Sequence, residues 1–140
     1  GFMVVGTARS IAALLALVRP LVLPGCVTEI QIDKWPGTLL MEPALKSFAT
    51  LLDAMLPRMR SPKHTVFMTA SAAPMRPGSR PAEIVEHLKR AFTGTCLWMM
   101  TVRAMIEEAD EFWEVGPMKQ LKAMMRRIDL KAWFKMSNME

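Results

Sequence analysis

The sequence has no tyrosine, only two cysteines and only two histidines in 140 residues. Cys26 and Cys96 stand alone, without a CxxC or comparable spacing. That excludes a disulfide framework and a thiolate metal centre, and both thiols read as small hydrophobes in core positions. Long apolar runs are missing too. The longest, Ile11 to Leu23, is cut by Arg19 and Pro20 and falls short of the roughly 20 apolar residues that cross a bilayer. It also has no basic leader or small-residue cleavage site of a signal peptide, so a buried amphipathic helix is expected. No stretch is both highly charged and poor in apolar residues, which excludes disorder away from the ends. There is no internal repeat. A G-x-S-x-G elbow, the sharp turn that presents a nucleophilic serine, does not occur.

What is present fits one globular domain. Hydrophobic residues make up 51% and charged residues 22%, enough for a single core and too little chain for two. Methionine is abundant at 14 residues, a matter of composition bias or of a plastic interface. The net charge is +5 and the pI about 9.6, which favours acidic partners or a basic organellar protein. The chain starts at Gly1 instead of methionine, which suggests a processed or truncated precursor from which any targeting peptide would already be gone.

The order of elements is mixed α and β. After Gly6, Thr7 can cap a helix carrying Ile11, Leu14, Leu15 and Val18 on one face, closed by Pro20 and Pro24. From Cys26 to Asp33 the period drops to two, which predicts a half-buried strand with Thr28, Ile30 and Ile32 inward. Met41, Ala44, Leu45, Phe48, Leu51, Leu52 and Met55 then follow a helical stripe, with Glu42 and Lys46 paired on the wet side. Thr65 to Ala70 reads as a strand, followed by a loop through Pro74, Pro77 and Gly78. Pro81 opens a helix with Ile84, Val85, Leu88 and Phe92 inward, Gly94 interrupts it, and another helix runs from about Leu97 to Glu108. Glu111 to Val115 is an aromatic strand that turns at Gly116 and Pro117 into a helix with Leu121, Met124, Met125 and Ile128. Residues 129–140 read as a tail with Trp133 and Phe134 as its anchors.

Several stretches share order and spacing with one family. They are Val4 to Thr7 before a helix, GTLLMEPA at Gly37 to Ala44, the strand Thr65 to Ala72, Leu88 to Trp98, and WEVGPMKQLKAMMRRID at Trp113 to Asp129. Together they resemble the carboxy-terminal part of malonyl-CoA:acyl carrier protein transacylases, whose patterns are VVIxGT, HTxxMxPA, VYSNVTA, a segment ending in PVRW, and FxEVGPGxxLxxLxKRI. The last match is the most specific. The resemblance implies an α+β chain, residues 1–128 forming a truncated transacylase-like domain with elements of its ferredoxin-like small subdomain.

The same resemblance implies lost chemistry. The family's serine lies in a GHSxGE elbow that this sequence lacks, and its histidine aligns with Gly37, which cannot accept a proton. The family's serine-asparagine pair falls on Met68 and Thr69, its glutamine on Ala91, and its proline-valine pair on Thr95 and Cys96. No catalytic residue, cofactor or metal is therefore assigned. His64 and His87 read as ordinary surface histidines, and Ser71, Ser79 and Ser137 as loop serines with no base pattern nearby.

One candidate binding feature remains. Lys119, Lys122 and Arg126 recur at helical spacing with Arg127 adjacent, a solvated face or a contact for an acidic partner such as an acyl carrier protein. A second cluster, Arg58, Arg60 and Lys63, has no interleaved aromatics, so nucleic acid is not expected. The expected role is a non-catalytic accessory subunit of a larger assembly in a plastid or mitochondrion, photosynthetic or respiratory complexes included. The alternatives are a piece of an active transacylase of fatty acid synthesis and a carrier-protein docking module.

Overall fold

The computed structural model describes residues 3–30 and 36–139. It is mixed α+β, 55% helical and 11% strand, with two small sheets. Helix α1, Ala8–Val18, starts where the Thr7 side chain accepts the Ser10 N–H at 3.2 Å. It ends in a short 3-10 turn, Arg19–Leu21, that contains Pro20. Ile11, Leu14, Leu15 and Val18 do share the less exposed face, yet no residue of α1 is fully buried. Cys26 to Ile30 joins no sheet, and the rest of the strand expected there lies outside the described residues.

Helix α2, Glu42–Met55, follows the apolar stripe, but only Leu52 is fully buried while Leu51 and Met55 are exposed. Among the described residues, Glu42 and Lys46 form no ion pair. Helix α3, Pro81–Thr93, packs on α2 through the stacked rings of Phe48 and Phe92, 4.4 Å apart. Lys89 joins the two helices from the edge, bonding Asp53 at 2.8 Å and Glu86 at 3.0 Å. Those two bonds, Asp53 first, hold its ammonium above the ordinary lysine range.

Strand β1, Val66–Met68, pairs antiparallel with β2, Ala73–Met75. The second strand was expected to be loop because of Pro74. The proline faces Phe67 in a two-stranded ribbon, the kind of edge position where a missing N–H is tolerated. Arg76, just after β2, makes a two-pronged contact with Glu108 at 2.6 and 3.0 Å, which raises the guanidinium pKa.

The main core lies toward the carboxy terminus. Helix α4, Trp98–Glu108, strand β3, Phe112–Val115, helix α5, Gln120–Ile128, helix α6, Leu130–Phe134, and strand β4, Met136–Met139, surround Val102, Phe112, Met125, Ala132 and Met136. Strands β3 and β4 run parallel, Phe112 opposite Met136 and Val115 opposite Met139. Residues 130–139 are thus not a tail. The side chain of Asp129 caps α6 by accepting the Ala132 N–H at 2.7 Å, and that short helix returns the chain beside β3.

The accessible surface is 11044 Å². A compact monomer of 15.8 kDa would expose roughly 7,300 Å², so this chain carries an excess of roughly 3,700 Å². Much of it is apolar: Leu17, Leu21, Leu23, Leu39, Val115 and Phe134 are each more than 70% exposed.

Candidate functional site

Gly37 adopts φ +87°, a conformation that glycine reaches without the cost a side chain would add. Its N–H bonds the Phe92 carbonyl at 2.8 Å, which holds the approach to α2 against the end of α3. A Cβ built there would meet the Gly94 carbonyl oxygen at 3.0 Å. A histidine would therefore be strained in two ways in this backbone. Around Gly37 opens a cavity of about 340 Å³ lined by Pro36, Thr69, Ala70, Ala91, Thr95 and Cys96. The fold gathers Gly37, Thr69, Ala91, Thr95 and Cys96 in one place although they span 60 residues of chain. Met68, next to Thr69, turns away, into the core.

The two cysteines correct the sequence reading: both are exposed and free. Cys26 sits in the irregular segment after α1, and Cys96 occupies the turn between α3 and α4, where no helical stripe turns it inward. Ser71 also differs from expectation. Its hydroxyl lies 3.0 Å from Nδ1 of His87 and accepts the Ala73 N–H at 3.3 Å, so the hairpin loop is pinned to α3. His87, expected to be an ordinary surface histidine, is half-buried and bonded to Ser71, and nothing in the spacing of residues 71 and 87 announces the contact. His64 is exposed.

The four cations expected to face a partner do come together. Lys119, Lys122, Arg126 and Arg127 line an open cleft of about 600 Å³ together with Ala123 and with Trp133 of α6. Arg126 lies 5.0 Å over the Trp133 ring, a cation–π contact that fixes the guanidinium. The Lys122 ammonium donates to the Met136 carbonyl of β4.

The neighbouring carboxylates make no ion pair with these four cations. Glu114, only 5% exposed, accepts the N–H groups of Leu121 at 2.8 Å and Lys122 at 2.9 Å, satisfying the first turn of α5 where Lys119 has no oxygen to offer. Asp129 is spent on α6. Among the described residues no ion pair involves any of the four cations. The cleft is thus an anion-attracting surface whose row from Lys119 to Arg126 spans roughly 10 Å along the helix. Arg126 covers one face of the Trp133 ring, so that face orients a guanidinium.

No known protein-family model matches this chain, and no curated protein matches its sequence. Among the described residues no helix is long and apolar enough to cross a membrane, and no cluster of His, Cys, Asp and Glu could hold a metal ion.

Proposed function

We propose that this chain is a non-catalytic accessory element, descended from a malonyl-CoA:acyl carrier protein transacylase, that packs into a larger organellar assembly. The observation that carries the accessory role is the roughly 3,700 Å² of accessible surface beyond that of a compact monomer, more than the roughly 1,000–2,500 Å² that one partner contributes to an obligate interface. The ancestry is supported by the gathering of five pattern positions around one cavity. Loss of transfer chemistry is supported by what lines that cavity: Gly37 in place of a base, and apolar or small side chains beside it. The basic cleft of Lys119, Lys122, Arg126 and Arg127 favours an acidic partner, an acyl carrier protein among them.

The excess surface also fits a second reading, in which the rest of an active transacylase, on this chain or another, covers it and brings the serine, but the small side chains around Gly37 favour the first. Native mass spectrometry of the assembly isolated from its source, with a malonyl-transfer assay on the same sample, separates the two. The accessory reading expects unrelated subunits and no transfer. Transfer together with a GHSxGE-bearing polypeptide would replace it by the enzyme reading, and a stable free monomer would refute both.

A further inference from the structure

Helix α5 concentrates positive charge where it lowers stability. Lys119 is the cap residue and Lys122 lies in the first turn, the end at which the helix dipole already presents positive charge, and α5 itself contains no acidic residue. Lys119 with Lys122, and Lys122 with Arg126, are like-charge neighbours one turn apart, a pairing that a helix by itself disfavours. The nearby carboxylates are engaged with backbone: Glu114 accepts the N–H groups of Leu121 and Lys122, and Asp129 accepts that of Ala132. Among the described residues, Lys119, Lys122, Arg126 and Arg127 form no ion pair, yet all four line one cleft of about 600 Å³. Two of them are held in place by the fold. Arg126 lies 5.0 Å from the centroid of the Trp133 ring, a contact that leaves its charge in place. Lys122 donates to the Met136 carbonyl, and an ammonium has two further N–H donors to give. Lys119 and Arg127 are exposed.

Side chains one helical step apart stand about 5–6 Å apart at Cβ, a gap that a single phosphate can bridge. The row of Lys119, Lys122 and Arg126 makes two such steps and Arg127 adds a fourth cation beside it, so one phosphate leaves part of the cleft unmatched. Two or more linked phosphates match the row. The planar fork of each arginine suits phosphate oxygens taken in pairs, and a concave cleft surrounds a compact polyanion on more sides than it can a flat lipid surface. We infer that this cleft is a binding site for a soluble ligand carrying a diphosphate or longer phosphate chain. The site does not depend on the accessory role.

Isothermal titration calorimetry with inorganic pyrophosphate, at low ionic strength and without divalent cations, tests it on the full chain. Pyrophosphate should bind one site at least about tenfold more tightly than orthophosphate. Lys119→Gln combined with Arg127→Gln should weaken that binding about tenfold or more, while Lys46→Gln on α2, away from the cleft, leaves it unchanged. Without ligand the double variant should melt no lower than wild type, because the changes relieve like-charge repulsion, and pyrophosphate should raise the melting midpoint of wild type far more than that of the variant. Comparing ADP with pyrophosphate tells a nucleoside-borne diphosphate from a free phosphate chain, and tighter binding of either supports the site. No binding of pyrophosphate, equal binding of orthophosphate, or unchanged affinity in the double variant would overturn it. Displacement of pyrophosphate by polyglutamate at equal charge concentration would overturn it in favour of a general face for acidic polypeptides. Binding to vesicles of anionic phospholipid without binding of pyrophosphate would overturn it in favour of a membrane surface. Each of these outcomes leaves the accessory role to its own test.

Discussion

Replacing Glu114 removes the single side chain that holds the start of α5. Its two carboxylate oxygens accept N–H groups from Leu121 and Lys122, and at 5% exposure water cannot easily take over. One helix cap is worth about 0.5–2 kcal/mol, and a buried donor left unsatisfied costs about 1–3 kcal/mol. Glu114→Ala should therefore lose about 3 kcal/mol. Glu114→Gln keeps one acceptor but sets its amide N–H against a backbone N–H, and should lose about 1.5 kcal/mol. In urea, with a slope of about 2 kcal/mol per molar, the alanine variant's midpoint falls by about 1.5 M and the glutamine variant's by about half that, with slopes unchanged. A shift equivalent to less than about 0.5 kcal/mol for Glu114→Ala would refute the assignment of Glu114 as the cap that organises α5.

Gly37→Ala should cost about 1–2 kcal/mol in a thermal or urea melt, from the positive φ and the 3.0 Å approach to the Gly94 carbonyl, and Gly37→His should cost more without restoring a base to the cavity. Cys26 and Cys96 should both react with a maleimide in the folded free chain, seen as two mass additions without denaturant. Ser71→Ala and His87→Ala should each cost about 1 kcal/mol, and the double variant should cost less than their sum if the 3.0 Å bond is what couples them. Lys119→Glu with Arg127→Glu should weaken binding of polyglutamate and flatten its salt dependence, measured by fluorescence titration of Trp133 and its neighbours. Lys122 is a poorer probe, since its substitution also frees the Met136 carbonyl.

Local periodicity made the helices legible. Pro81 and the stripe Ile84, Val85, Leu88 and Phe92 mark α3 within a residue of its ends, and the aromatic run before Gly116 marks β3. What stayed hidden depends on contacts distant in sequence. Strand β4 is Met-Ser-Asn-Met, with no β-branched residue, and becomes a strand because α6 returns it beside β3. In the basic cleft, the spacing of Lys119, Lys122 and Arg126 was readable, whereas Trp133 joining them and Glu114 being occupied elsewhere were not.

Burial diverged from the sequence reading in both directions: Ala132 and Met136 of the expected tail are buried, while apolar residues expected inside lie open. Ile11, Leu14, Leu15 and Val18 were expected to be core and are only half-buried, and Leu51, Met55 and Val115 lie open. An apolar stripe at helical or strand period reflects a surface that is covered where the protein operates, because leaving it wet costs roughly 25 cal/mol for each Å². The described chain covers the stripe of α3 and, on α5, Met125 and Ile128, and leaves Leu121 and Met124 of α5 open together with much of α1, part of α2 and the exposed side of β3. Those open stripes do not form a random scatter. They follow the same periodicities as the buried ones.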